Sequence, residues 1–182
     1  MKKIALMLLS AFVINASMAQ MDKPVTVGGA AMYATKNIIQ NAVNSKDHTT
    51  LVAAVKAAGL VETLQGMGPF TVFAPTNEAF DKLPEGTVGN LVKPENKGTL
   101  TKILTYHVVA GRWNAEDIAK MIKDGGGTAT IKTVSGGTLK ATMKGNKLVL
   151  TDEKGGMSTV TIKDVNQSNG VIHVVDTVLM PS

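Results

Sequence analysis

The chain has 182 residues, a net charge of +5 and no cysteine, and 44% of its residues are hydrophobic against 18% charged. This length suits one domain, and the composition excludes a wholly disordered chain. The lack of cysteine excludes a disulfide scaffold, thiolate metal sites and a cysteine nucleophile, and three histidines are too few for a histidine-rich metal site.

Residues 1–19 predict a cleaved secretory signal. Two lysines precede the apolar stretch 4–14, and Ser17 and Ala19 place small residues where a signal peptidase requires them. The mature chain would then begin at Gln20. A retained anchor helix is the alternative, but the apolar stretch is short for a membrane span.

The next segment, residues 20–36, is predicted to be a flexible leader because it contains glycine and proline without a clear hydrophobic period. A single domain over residues 37–182 follows. Its front half is predicted to be helical because apolar residues recur every three or four positions. The predicted helices lie near residues 38–43, 51–58, 60–64, 77–80, 100–104 and 115–122. His48, flanked by Asp47 and Thr49, is predicted to be exposed.

Strands dominate the back half. Residues 70–74 form one compact β-like run, residues 139–143 alternate between apolar and polar side chains, and glycines mark the turns between later runs. The nearly continuous apolar run 171–179 is typical of a strand that is covered on both faces. Helices followed by antiparallel hairpins predict the α+β fold class.

No catalytic motif is present. The chain lacks a P-loop, a nucleophile elbow and a His-Glu-x-x-His sequence. His173 and Asp176 are three positions apart in a predicted strand, so their side chains should point to opposite faces. His107 lies where a helix passes into a strand. Both histidines are predicted to be structural, buried and neutral, and we predict no catalytic, cofactor-binding or metal-binding residue.

The distribution of charge bears on partners. The lysines are spread along the chain and Arg112 is the only arginine. Because bidentate phosphate binding favours arginine, the sequence does not predict a phosphate-binding surface. This pattern predicts no nucleic-acid partner, and no segment after the signal is long and apolar enough for stable membrane insertion.

Three segments carry a resemblance to a known family. Residues 70–80 closely resemble the first signature segment of the fasciclin domain family, residues 104–109 resemble its tyrosine–histidine motif, and residues 169–179 resemble its second signature segment. The resemblance extends from about Asn37 to Pro181 and covers one copy of the domain.

The resemblance implies a fold: a compact wedge in which an antiparallel β-sandwich is decorated by several short α-helices. The two signature segments would lie close together in the core. Phe73, His173, Val174 and Asp176 are therefore candidates for the structural core.

The resemblance also implies a function in cell adhesion and extracellular-matrix contact, with a cell-surface or matrix protein or glycan as partner. Animal members use two contact motifs. The residues that match them here are Leu104, Tyr106, His107, Val108 and Val109 for the first, and Asp164 and Val165 for the second. Valine stands at 165 where the family motif has isoleucine.

Together these observations predict an exported, non-enzymatic interaction module that is extracellular, periplasmic or held in the cell envelope. Two alternatives belong to other functional classes. One is a secreted hydrolase of a polysaccharide ester that uses His107 or His173. The other is a carrier of a small apolar ligand in a pocket between the sheet and the helices.

Overall fold

A computed structural model describes residues 23–182, so the predicted signal peptide and the predicted start at Gln20 lie outside the described residues. The helices are α1 Ile38–Ala42, α2 Thr49–Ala58, α3 Val61–Gln65, α4 Asn77–Asp81, α5 Thr87–Leu91, α6 Lys97–Tyr106 and α7 Ala115–Asp124. The strands are β1 Val25–Val27, β2 Ala30–Met32, β3 Phe70–Pro75, β4 Val108–Ala110, β5 Thr128–Lys132, β6 Thr138–Lys144, β7 Lys147–Thr151, β8 Met157–Gln167 and β9 Gly170–Val175. The predicted α+β class is confirmed.

The segment predicted to be a flexible leader differs from expectation from residue 25 onward. Strands β1 and β2 form an antiparallel hairpin, and Val27 and Met32 are only 1% and 2% exposed. Gly28 and Gly29, which suggested flexibility, both adopt positive φ angles of 57° and 74°. Two consecutive residues with positive φ make a tight hairpin turn, so these glycines order the chain.

The main sheet has seven strands in the order β4-β3-β9-β8-β7-β6-β5. Adjacent strands pair antiparallel except β3 and β9. These two strands run parallel, with Phe70 opposite Gly170 at one end and Pro75 opposite Val175 at the other. The expectation that the two signature segments lie together in the core is confirmed. Their parallel direction was not predicted from the hairpin pattern, because the two strands are about a hundred residues apart in sequence.

The central strands are buried on both faces. Val72 and Val174 pack on one side with residues from α1 to α6, whereas Phe73 and Val175 pack on the other side with α7 and strands β5 to β7. This arrangement explains the continuous apolar run in β9, since every residue of that strand is buried.

The sheet curls so that its two ends approach each other. The Val134 N–H, just after β5, donates to the Val108 carbonyl in β4 at 2.8 Å. The seven strands therefore form a nearly closed barrel, with α7 packed against β5 and β6 and the other helices on the opposite side. Across the described part of the chain, no helix has the length and apolar character that a membrane crossing requires.

Candidate functional site

The tyrosine–histidine segment lies at the junction of α6 and β4. All five predicted contact residues of this segment are buried: Leu104, Tyr106, His107, Val108 and Val109. Their side chains serve the two hydrophobic cores, and what the segment offers to solvent is the half-buried Thr105 and the exposed Ala110. The aromatic side chains of this motif are therefore not part of the surface of the folded domain.

Tyr106 connects three parts of the fold through its hydroxyl group. The hydroxyl donates to the Thr138 carbonyl at 2.6 Å and accepts from the Glu153 N–H at 3.2 Å. Burial raises the pKa of Tyr106 to about 12, so the phenol stays neutral and keeps both bonds.

His107 has both ring nitrogens engaged by backbone groups. Nδ1 is 2.9 Å from the Ile103 carbonyl, and Nε2 accepts from the Leu179 N–H at 3.0 Å. These partners assign the neutral tautomer with the proton on Nδ1. Burial lowers the pKa of His107 to about 4. The ring has no free lone pair for a substrate, which supports a structural role over general-base catalysis.

His173 is held in the same manner but in the opposite tautomer. Nε2 lies 2.8 Å from the Trp113 carbonyl, and Nδ1 accepts from the Asp164 N–H at 3.2 Å. The ring stacks on Phe73 with centroids 5.7 Å apart, and burial lowers the pKa of His173. The Asp176 carboxylate instead accepts from the Thr159 N–H at 2.8 Å, so these two side chains have separate structural partners.

The second predicted contact motif consists of Asp164 and Val165. Val165 is fully buried, whereas the side chain of Asp164 is half-buried and reaches the surface. It lies within β8 where the register with β9 shifts, and its φ of 58° is left-handed. Its Oδ1 accepts from the Ala115 N–H at 2.6 Å, at the first residue of α7. The carboxylate is therefore fixed between the start of α7 and the strand that carries His173.

A cleft of about 650 Å³ opens beside this carboxylate, between α7 and strands β7 and β8. Charged side chains of both signs line it, among them Glu116, Lys147, Lys163 and Asp176. The sequence alone did not predict this cleft because its walls come from four separate segments, which only the fold brings together.

His48 contradicts the prediction of an exposed side chain. It is 2% exposed, its Nδ1 lies 2.9 Å from the Ser45 hydroxyl, and Nε2 has no hydrogen bond. Burial lowers the pKa of His48 despite the nearby Ala74 carbonyl and the charge of Asp47. The prediction was wrong because it was based on the polar residues next to His48 in the sequence. The short helical turn at Lys46–His48 directs the His48 side chain inward while Lys46 stays exposed.

Within residues 23–182, histidine, aspartate and glutamate side chains form no group of three or more that could hold a metal ion.

Comparisons with known proteins agree with this fold. The profile of the fasciclin domain matches residues 46–181. The chain is 44% identical to the protein sll1483 of Synechocystis sp. over 169 residues, which cover 93% of this chain and 87% of that protein. It is 36% identical to the cell surface glycolipoprotein MPB83 of Mycobacterium bovis over 165 residues, which cover 88% of this chain and 67% of that protein.

The fold is similar to that of a solved FAS1 domain pair from the insect cell adhesion molecule Fasciclin I. The TM-score is 0.71 at 18% identity, and the match covers 80% of this chain and 51% of the solved chain, so this chain spans about half of the pair. The matching profile, the identity to bacterial relatives and the shared fold show that the chain belongs to the fasciclin domain family.

Proposed function

We propose that this protein is an exported, non-enzymatic adhesion module that binds a cell-surface or matrix protein or glycan. Its family includes extracellular and cell-surface proteins, and a solved relative of the same fold is a cell adhesion molecule. The observation that carries the proposal is the fixed, accessible carboxylate of Asp164 at the edge of a polar cleft.

Asp164 suits recognition because its position is set before a partner arrives. The Ala115 N–H holds Oδ1, and the bond from its own N–H to His173 holds the backbone. Oδ2 has no hydrogen bond within residues 23–182 and is available to a donor on the partner. A pre-positioned charge loses little conformational entropy on binding, which favours affinity.

The buried tyrosine–histidine segment would act in this proposal as the support of the surface and not as its contact. Tyr106 and His107 fix the end of α6 against β6 and the C-terminal segment. Loss of binding in variants of these two residues would then follow from altered folding, which a thermal unfolding measurement would reveal.

The binding test is a pull-down from matrix and cell-surface extract with the purified mature protein, followed by affinity measurement on the captured partner. Asp164→Asn removes the charge, yet it keeps an oxygen for Ala115 and tolerates the left-handed backbone. We expect its affinity to fall about tenfold or more. Asp124→Asn, at the exposed end of α7, is the matched control and should bind normally. Equal binding by the Asp164 variant would reject this site.

Export and the absence of catalysis are tested separately. Mass spectrometry of the secreted protein should find Gln20 as its first residue, and a chain that still begins at Met1 in the membrane fraction would contradict export. A screen on ester and glycoside substrates should show no turnover. Turnover that a His107 or His173 substitution abolishes in a folded protein would favour the hydrolase instead.

A further inference from the structure

The outer face of strands β5 to β8 carries lysines that the fold gathers from separate positions in the sequence. Residues along each strand alternate between the two faces of the sheet. The inward residues, such as Ile131, Leu139 and Leu150, belong to the buried core of the barrel. The outward residues include four exposed lysines, which we call the lysine face: Lys132, Lys140, Lys144 and Lys147.

Strand pairing fixes how these lysines are arranged. Lys144 lies directly opposite Lys147 beside the turn between β6 and β7, and Lys140 precedes Lys144 on the same strand. Lys132 in β5 lies opposite Thr138, the first residue of β6. At about 3.4 Å per residue, the row from Thr138 to Lys144 is about 20 Å long. The lysine face is therefore an extended row along β6 and not a single charged point.

The protein does not neutralise the positive charge of this row. Within residues 23–182, none of the four ammonium groups pairs with a carboxylate, and the Lys144 ammonium donates to the Met157 sulfur, a weak acceptor, at 3.3 Å. The acidic residues next to these strands, Asp152 and Glu153, lie in the loop between β7 and β8, where their carboxylates accept backbone N–H bonds. The lysine face therefore attracts an anionic partner.

The side chains around the lysines indicate which kind of anion fits. Thr130 and Thr151 flank Lys140 on the neighbouring strands, and their hydroxyl groups can exchange hydrogen bonds with the hydroxyl groups of a sugar. Residues 128–161 contain no aromatic side chain on which a nucleic-acid base could stack. The exposed Met157 offers little apolar area for insertion into a membrane. These features favour a polysaccharide over a nucleic acid or a lipid surface.

We propose that the lysine face binds a linear polysaccharide that carries carboxylate groups. The ammonium groups pair with carboxylates along the polymer, and the threonine hydroxyls bond to its sugar hydroxyls. This inference goes beyond the proposed function, because Asp164 lies outside the lysine face and carries the opposite charge. Lys147 also lines the cleft beside Asp164, so the variants below leave it unchanged.

The test compares two polymers with the same backbone, polygalacturonate and its full methyl ester, by isothermal titration calorimetry with the purified mature protein. Only the polymer with free carboxylates should bind, and its affinity should fall as the salt concentration rises, because salt screens exposed charges. Equal binding of the two polymers, or no binding of either, would overturn the proposal. Tighter binding of single-stranded DNA or of anionic lipid vesicles would also overturn it.

A triple variant locates the binding surface. Lys132→Gln, Lys140→Gln and Lys144→Gln together should lower the affinity for polygalacturonate about tenfold or more, because each change removes one ion pair. The matched control makes the same change at three exposed lysines in the helical front half of the domain: Lys46, Lys56 and Lys93. The control should lower the affinity by less than about twofold, since distant exposed charges are screened. Equal losses in the two variants would mean that net charge determines binding, and would reject the lysine face.

This inference and the proposed function can fail independently. Asp164→Asn should leave polygalacturonate binding unchanged, and the triple lysine variant should still bind a partner that is held by Asp164. Loss of polygalacturonate binding in Asp164→Asn would place the polymer in the cleft and overturn the assignment to the lysine face.

Discussion

At the scale of single residues, His107 shows how burial and hydrogen bonding determine a protonation state. Its neutral ring uses one nitrogen as donor to Ile103 and the other as acceptor from Leu179. A second proton would turn the acceptor into a donor that faces another N–H group. Protonation therefore conflicts with the local backbone as well as with burial.

We expect the free energy of unfolding to decrease as pH falls from about 6.5 towards about 4. Burial holds the pKa of His107 at about 4 against an ordinary 6.5, so the unfolded chain binds a proton in this window that the folded chain does not. The excess of bound protons favours the unfolded state, on the order of 3 kcal/mol across the window. Burial also lowers the pKa of His48 and of His173, which adds to the same trend.

Urea unfolding at several pH values measures this dependence, and His107→Gln should make it less steep. An NMR titration in which the His107 ring takes up its proton near pH 6.5 would contradict the burial argument.

Phe73 is the second residue whose role can be tested directly. Its ring is 1% exposed and stacks on His173 inside the curled sheet. Phe73→Ala should lower the free energy of unfolding by about 3–5 kcal/mol, because the change removes buried carbon and leaves a cavity. Val92→Ala, at a partly exposed position, should change it by less than about 0.5 kcal/mol. A loss below about 1 kcal/mol for Phe73→Ala in denaturant unfolding would show that this side of β3 tolerates a cavity.

At the scale of elements, the fold depends on the parallel pairing of β3 with β9. Gly170, the first residue of β9, lies opposite Phe70, and a Cβ atom at Gly170 would be 2.1 Å from the Phe70 carbonyl oxygen. The close approach lets the two strands begin side by side. Asn169 supports the same junction, since its side chain donates to the Leu64 and Gly66 carbonyls and accepts from the Ile38 N–H.

Gly170→Ala should therefore destabilise the protein by about 3 kcal/mol or more, because the obstructing atom is backbone and cannot move aside alone. Gly89→Ala is the matched control: it lies in α5 with open space around the added Cβ and should stabilise by up to about 1 kcal/mol. Differential scanning calorimetry of both variants provides the comparison. Similar melting temperatures for the two would mean that β9 can shift without loss of the sheet.

At the scale of the whole molecule, polar contacts tie distant segments to the end of the chain. Glu153 accepts from the Ser182 N–H at 3.1 Å and from the Thr138 N–H at 2.9 Å, and these bonds lower the pKa of Glu153 to about 2. The Asp152 carboxylate accepts from the Met180 N–H at 2.9 Å. The C-terminal segment is thus held by the loop between β7 and β8, and the Glu153 contact persists until the pH falls towards about 2.

Tyr106 joins the same loop to α6, so Tyr106→Phe should lower the free energy of unfolding by about 1–2 kcal/mol. The change leaves the Thr138 carbonyl and the Glu153 N–H without their shared partner. Tyr33→Phe, at a position 45% exposed, should have almost no effect. Equal stabilities in urea unfolding would indicate that water replaces the hydroxyl at this junction.

The sequence by itself predicted the fold class, most of the helices and strands of the domain, and the burial of His107 and His173. Those properties follow from the spacing of apolar residues along the chain and from continuous apolar runs such as 70–74 and 171–175. Both can be recognised from neighbouring residues in the sequence. Family motifs added the expectation that the two signature segments meet in the core.

Tertiary structure alone decided the parallel direction of β3 and β9, the burial of His48 and Tyr106, and the partial exposure of Asp164. Each of these depends on which distant segment covers a side chain, and local polarity does not encode that information. The cleft and the lysine face depend on the same packing, because they join residues that only the folded chain brings together.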